Sequence, residues 1–231
     1  MYLDIAKAFK APWNKDGGAA RMFLGGLVSL IPILNFVTCG YLIEYLNRFI
    51  NKDENLGNIF QHGGKSFVTG FKYFVGLILL AIPFIIMEIV FYLIFSKSSS
   101  FLYNMLANIL SLLYSIIFLL MTINFAKSNK ILSMVDFQEA YNLINSKDKL
   151  INFAILFLMT TVTQIVYAIP ICIIAFIVGL ISALFIKSAM LVVILLIIIA
   201  FIAVLMLAFA MAVTMFNMIG QFARNSISNL N

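Results

Sequence analysis

Long apolar stretches with almost no charge dominate this 231-residue chain. Between Tyr73 and Phe95 only Glu88 is charged at neutral pH, and between Ala189 and Gly220 no residue is. A helix needs roughly 20 apolar residues to cross a hydrocarbon core of about 30 Å, and several of these stretches are at least that long. Uninterrupted apolar runs of this length indicate membrane-spanning helices. The sequence therefore predicts an all-α, polytopic integral membrane protein.

The composition excludes several classes of protein. Hydrophobic residues make up 64% of the chain and charged residues only 10%, which is far from the composition of soluble domains. The connections between the apolar stretches are too short to build a second core, which excludes a separate catalytic domain. The net charge of +6 comes from basic residues that lie beside the apolar stretches, where they fix orientation. We expect a lipid bilayer as partner, no nucleic acid, and a multi-pass location in the cell membrane.

Five apolar runs define the expected organisation. We expect an interfacial amphipathic helix in residues 1–20, one transmembrane domain in residues 21–220 and a polar tail in residues 221–231. In the first segment, the helix would place Leu3, Ala6, Phe9 and Trp13 on one face, and packing on the protein's own membrane domain is the alternative. The runs cover residues 22–46, 67–95, 101–126, 150–186 and 189–220.

The first run contains Pro32 and Gly40, which predict interruptions of its helix. It could be one kinked crossing, or a re-entrant pair of short helices that returns to the same side. A re-entrant segment followed by four crossings places thirteen basic residues on one side and two on the other. Five full crossings give nine and six. Since basic residues concentrate on the cytoplasmic side, the charge distribution favours the re-entrant segment.

Two further prolines, Pro83 and Pro170, lie inside later runs and predict further helix interruptions. The run that contains Pro170 has 37 residues, or about 55 Å of helix at 1.5 Å per residue. That length suits one long kinked helix or two short crossings. We prefer the single kinked helix, because no Gly or Asn accompanies the proline to form a turn.

Few residues could carry chemistry. Glu88 is a possible intramembrane ion or proton site, since a carboxylate at membrane depth faces a polar interior or titrates. The alternative is that Glu88 lies near the outer interface and reaches water. His62 is the only histidine, and Cys39 and Cys172 are far apart and suit small buried apolar positions. We therefore predict no metal, no cofactor, no catalytic residue and no enzymatic activity.

Polar residues inside the apolar runs have two possible roles. The side chains of Asn35, Asn124, Gln164 and Asn217 could join helices by hydrogen bonds or could line a pore. Glu44 lies four residues before Arg48, a spacing typical of an ion pair on a helix surface.

Short motifs in the first two thirds of the chain resemble a known family. They are Ala8–Trp13, Gly40–Leu42, Gly70–Lys72, Ala81–Pro83 and Phe137–Tyr141. Together they are similar to the prokaryotic membrane family catalogued as domain of unknown function 4013. The resemblance implies a polytopic membrane protein and supplies no reaction or catalytic residue. The first connection departs from the family pattern, because residues 56–62 lack its proline and its aromatic acidic segment.

Two functions fit these observations. The first is a noncatalytic membrane-embedded assembly or scaffold subunit with cytoplasmic basic loops, which works with protein partners or as a homo-oligomer. The alternative is a small permease or channel for an ion, lipid or small solute, built on broken helices and Glu88.

Overall fold

The computed structural model of the protein describes residues 3–13, 18–53, 62–95, 100–185 and 190–228. In these ranges the chain forms α1 (Ile5–Lys10), α2 (Gly18–Ser29), α3 (Pro32–Ile50), α4 (Gly63–Phe95), α5 (Ser100–Ser128), α6 (Phe137–Asn142), α7 (Lys147–Phe185) and α8 (Met190–Ser228), with a 3-10 turn at Ile131–Val135. Stretches long and apolar enough to cross a membrane occur in α4, α5, α7 and α8. The predicted all-α membrane bundle with four crossings and a distinct N-terminal segment is confirmed.

The first apolar run breaks into two helices at Leu30 and Ile31. Ile31 has an extended backbone (φ −89°, ψ 114°), and Pro32 is the first residue of α3. Proline disfavours helical backbone at the residue before it, and its own fixed φ suits the first turn of a new helix. The predicted interruption at Pro32 is therefore present.

The helix before the break, α2, runs antiparallel to α8. Gly25 lies against the ring of Phe209, and Gly26 lies against the backbone of Leu205, nearer the start of α8. With 12 residues, α2 is about 18 Å long at 1.5 Å per residue. It is too short to cross a hydrocarbon core of about 30 Å.

The helix after the break, α3, runs parallel to α8. Tyr41 stacks on Phe209 with 6.3 Å between ring centroids, and Phe49 lies against Gly220, further along both helices. Since α2 and α3 have opposite directions, they form a hairpin whose two ends lie at the same end of the bundle. We call this the basic end; α3 finishes there and α4 begins there. The opposite end is called the far end.

The tip of the hairpin carries exposed apolar side chains, among them Leu30, Ile31 and Ile33. Gly26, a few residues before the tip, lies against Leu205 within the apolar stretch of α8, so we expect these side chains to lie at membrane depth. Apolar side chains at that depth face lipid without penalty. The opposite directions of α2 and α3 agree with the re-entrant arrangement that the charge distribution favours.

Gly40 does not interrupt α3, so that prediction is wrong. The helix continues through Gly40, where it crosses α4 at Gly70. A Cβ atom on Gly40 would overlap the Ser66 carbonyl, and one on Gly70 would overlap the Phe36 carbonyl. Gly40 therefore allows two helix backbones to touch, as small residues do between membrane helices.

The internal prolines leave their helices continuous. Pro83 lies inside α4 and Pro170 inside α7, and each helix is assigned without a break. Because proline has no N–H, the missing hydrogen bonds are those to the carbonyls of Leu79 and Val166. The preferred single helix is therefore observed over Lys147–Phe185, the predicted breaks at Pro83 and Pro170 are wrong, and the expected kink stays a prediction.

The hydrophobic core lies towards the basic end. There, α3 packs on α4 and α8, while α5 and the 3-10 turn cover the other side of α4. Beyond the core, α4 is exposed at every residue from Ile85 to Val90. In the described part of the chain, α7 packs substantially only on α8, and α4 makes no substantial contact with α7 or α8. The α4–α5 and α7–α8 pairs therefore separate towards the far end.

Helix α1 docks on α8 at the basic end. The backbone N–H of Asp4 donates to Gln221 Oε1 (2.7 Å), and Gln221 Nε2 donates to the Asp4 carbonyl (3.0 Å). Ala8 is buried and Phe9 stacks on Tyr167, with ring centroids 5.9 Å apart. The alternative in which α1 packs on the protein itself is therefore observed. Its position at the membrane interface stays a prediction.

The face through which α1 packs differs from the predicted apolar face. Ile5, Ala8 and Phe9 pack on the core, whereas Ala6 and Trp13 are exposed. The predicted face and the packing face therefore share Leu3 and Phe9 and differ at Ala6 and Trp13.

Helix α8 continues into the segment that we expected to be a polar tail. It ends at Ser228, and Phe222, Ala223 and Ser226 are buried. The described residues after position 220 are thus helical and belong to the core at the basic end.

Candidate functional site

The first candidate site is an open groove between α4 and α5 that contains Glu88. Its volume is about 360 Å³, and Ser111 and Tyr114 supply the other polar groups. The Tyr114 ring packs against Phe84 with centroids 5.0 Å apart, which limits the groove towards the core. Glu88 is exposed, and within the described ranges it has no hydrogen bond or ion pair. The groove can present this carboxylate to a donor or cation from outside the chain.

The second candidate site is a polar cavity of about 290 Å³ at the basic end, between α3, the start of α4 and the end of α5. Its ionisable lining residues are Tyr41, Glu44, Arg48, His62 and Lys65. We call it the basic-end cavity. Sequence reasoning missed it, because it treated Glu44 and Arg48 as a surface pair and gave His62, the only histidine, no role. These residues lie on or next to different helices, and nothing in their sequence spacing indicates the contact between α3 and α4 that brings them together.

Glu44 is the most constrained group in the basic-end cavity. Ser66 Oγ donates to Glu44 Oε2 at 3.1 Å. The other oxygen, Oε1, is buried and has no hydrogen-bond partner in the described part of the chain. A buried carboxylate oxygen without a donor is costly, so Oε1 of this cavity-lining residue has an unmet need for a hydrogen-bond donor.

Two of the four predicted amides join elements of the bundle. Asn217 Nδ2 donates to Tyr45 Oη at 2.6 Å, and Gln221 Nε2 donates to Asn217 Oδ1 at 2.9 Å. Asn124 Nδ2 donates to the Asp136 carbonyl at 3.2 Å. These amides therefore tie α8 to α3, and α5 to the start of α6.

The other two amides, Gln164 and Asn35, are exposed. Asn35 Oδ1 accepts a long contact from Cys39 Sγ (3.9 Å) within its own helix. Gln164 lies on α7, and no hydrogen bond to it is found within the described ranges. Neither side chain joins two described helices.

Metal-ligating residues do not cluster in the part of the chain that the structure describes. No group of three His, Cys, Asp or Glu side chains comes together there. Cys39 is half-buried and Cys172 is exposed, both as free thiols. The expectation of a buried thiol is wrong for Cys172, because no described helix covers its face of α7.

Comparison with known proteins identifies the family. A family model described as a protein of unknown function, DUF4013, matches residues 24–165, which is more than half of the chain. The chain belongs to the DUF4013 family. Searches of curated proteins and of solved structures find no match. The matched range of this DUF4013 protein contains both candidate sites, and the family description assigns no activity to either.

Proposed function

We propose that this DUF4013 protein is a noncatalytic assembly subunit of the membrane, which binds helices of another membrane protein along the outer face of α7. The observation that carries the proposal is the exposed Gln164 amide within the membrane stretch of α7. Lipid tails cover apolar side chains as well as protein does, but they cannot bond an amide.

A partner helix could bond the Gln164 amide and pack closely against α7. A hydrogen bond between membrane helices contributes about 0.6–2 kcal/mol, so an amide such as Gln164 favours association. Gly179 lies on the same helix with no other side chain or backbone within 4 Å of its Cβ position. A small residue of that kind leaves space for close approach of a second helix.

The separated hairpins support the same proposal. Because α7 packs substantially only on α8 among the described elements, its remaining faces are open to partners. At the basic end, Lys7 and Lys10 of α1 and the basic connections would face the cytoplasm and could contact peripheral proteins.

Site-specific photo-crosslinking in native membranes tests the proposal. A photoreactive amino acid in place of Gln164 should form a covalent adduct with a second protein. The same amino acid in place of Leu156, which is fully buried on α7, should not. Isolation of the Gln164 adduct from cells and its identification by mass spectrometry give the partner.

A substitution series provides the matched control. Gln164→Leu should reduce the mass of particles extracted directly into polymer nanodiscs to that of the single chain, 25.9 kDa plus lipid and polymer. Thr161→Val should leave the mass unchanged, because the Thr161 hydroxyl already bonds the Phe157 carbonyl at 3.0 Å. Particles that contain only one chain in the wild type would contradict the proposal.

A second candidate function is a small permease or channel, which the groove at Glu88 favours. In that case Glu88 would bind a proton or cation, assisted by Ser111 and Tyr114. Reconstituted vesicles should then show ion or proton flux that Glu88→Gln abolishes and that Glu139→Gln, outside the groove, leaves intact. Equal flux in vesicles with and without the protein would reject this function.

A further inference from the structure

The basic-end cavity has a composition suited to a small polar ligand, and the assembly proposal makes no use of it. Its volume of about 290 Å³ lies near the lower end of the usual range for ligand pockets, about 300–1,000 Å³. A space of that size holds a headgroup or a small metabolite and is too small for a protein segment with side chains.

The cavity offers positive charge for an anionic group. Arg48 and Lys65 line it, and α4 begins beside it at Gly63. Guanidinium and ammonium groups bond phosphate oxygens, and the first backbone N–H groups of a helix add partial positive charge. Phosphate oxygens can accept hydrogen bonds from the guanidinium of Arg48, the ammonium of Lys65 and the first backbone N–H groups of α4.

The same cavity also requires a hydrogen-bond donor. Glu44 lines it with the buried Oε1 atom that has no partner within the described ranges, while Ser66 holds Oε2. A phosphodiester has no O–H group, so it cannot donate to this oxygen, and its negative charge repels the carboxylate. An ammonium group can, and it would also neutralise the carboxylate.

We propose that the basic-end cavity binds a zwitterionic amino-phosphate group, with the phosphate at Arg48 and Lys65 and the ammonium at Glu44. Ethanolamine phosphate has this chemistry, either as a free solute or as the headgroup of a phospholipid. The basic end lies where lipid headgroups are expected, because basic residues mark the cytoplasmic surface of the membrane.

Binding to the purified full-length chain in detergent tests the proposal and separates the two sources. The probes are O-phosphoethanolamine, glycerophosphoethanolamine, phosphatidylethanolamine and phosphatidylglycerol, and the readout is the thermal midpoint Tm as a function of probe concentration. We expect Tm to rise with phosphatidylethanolamine and not with phosphatidylglycerol, which lacks the amine. A rise with the two soluble probes as well would indicate that the headgroup alone is sufficient, and its absence would indicate a lipid ligand.

Two pairs of variants connect the response to the cavity. Glu44→Gln and Lys65→Gln should each raise the midpoint concentration about tenfold, the effect of losing one charge-assisted hydrogen bond. Asp148→Asn and Lys72→Gln each remove one charge of the same sign outside the cavity and should leave the midpoint concentration unchanged. Should Glu44→Gln fail to fold, Lys65→Gln still decides, because Lys65 is exposed at the start of α4.

Two outcomes would overturn the proposal. The first is that none of the four probes changes Tm. The second is that phosphatidylglycerol acts as well as phosphatidylethanolamine and that Glu44→Gln binds both like the wild type, which would leave an anion site without an amine site.

Discussion

At the scale of single residues, two glycines decide how closely the re-entrant hairpin fits the bundle. Gly40 and Gly70 bring the backbones of α3 and α4 into contact. We expect Gly40→Ala to destabilise the protein by about 1–3 kcal/mol or more, because the added methyl group would overlap the Ser66 carbonyl and backbone cannot move aside easily. Equilibrium unfolding in mixed detergent micelles measures the change in free energy.

Gly179 provides the matched control for that substitution. It also lies in a helix, but nothing lies within 4 Å of its Cβ position. Gly179→Ala should therefore change the free energy of unfolding by no more than about 1 kcal/mol, in the stabilising direction that helix propensity gives. Equal losses for the two variants would show that the helix crossing is not the cause.

Asn217 connects two distant parts of the sequence through hydrogen bonds. It bonds both Tyr45 and Gln221 inside the core. Asn217→Leu should cost about 1–3 kcal/mol of unfolding free energy, because it leaves buried polar partners unpaired. Asn35→Leu, at an exposed amide near the hairpin tip, should have little effect. A neutral Asn217→Leu in the same unfolding measurement would contradict the assigned network.

At the scale of helices, the α4–α5 and α7–α8 hairpins are each tied by a similar contact. Tyr73 Oη and Thr122 Oγ1 are 2.9 Å apart, and Tyr167 Oη and Thr214 Oγ1 are 3.0 Å apart. The two pairs are buried and lie on separate hairpins. Each hydrogen bond joins the two helices of one hairpin.

Removal of these two hydroxyl groups should be additive. Tyr73→Phe and Tyr167→Phe should each lower the unfolding free energy by about 0.5–1.5 kcal/mol. The double variant should lose the sum within about 0.5 kcal/mol, as expected for distant sites without shared partners. A deviation clearly larger than this in the equilibrium unfolding series would mean that the hairpins are coupled.

The proline and glycine residues show how far sequence alone can predict the helices. Pro32 ends one helix and begins another, since its effects on its own φ and on the preceding residue are local. Pro83 and Pro170 leave long helices continuous, because only one hydrogen bond is lost at each. Gly40 was predicted as an interruption and is instead a crossing point, which depends on Gly70 in another helix and so could not be predicted from local sequence.

At the scale of the whole molecule, hydropathy predicted the four long apolar helices, and the charge distribution favoured the hairpin that α2 and α3 form. Both arguments use general preferences of the bilayer, for apolar spans and for basic residues on the cytoplasmic side. They need no information on which helices contact each other. The basic-end cavity was not predictable in the same way. Glu44 and Lys65 belong to different helices, and their proximity follows from the antiparallel packing of α3 on α4.

The topology of the hairpin determines which residues can meet at one membrane surface. If α2 and α3 return to the same side, α1, the start of α4, the end of α5 and the end of α8 all lie together. The basic-end cavity and the proposed cytoplasmic contact surface both depend on this arrangement, so the side on which α3 ends is the central claim.

Cysteine accessibility in intact cells tests that claim most directly. The background chain carries Cys39→Ser and Cys172→Ser, which remove the native thiols. Lys10→Cys, before the hairpin in sequence, and Lys52→Cys, after it, are each introduced singly into this background. Phe101→Cys, also introduced singly, marks the far end. We predict that a membrane-impermeant maleimide labels Phe101→Cys in intact cells and labels both lysine replacements only after the membrane is opened. Labelling of Lys10→Cys and Lys52→Cys from opposite sides would contradict the re-entrant hairpin.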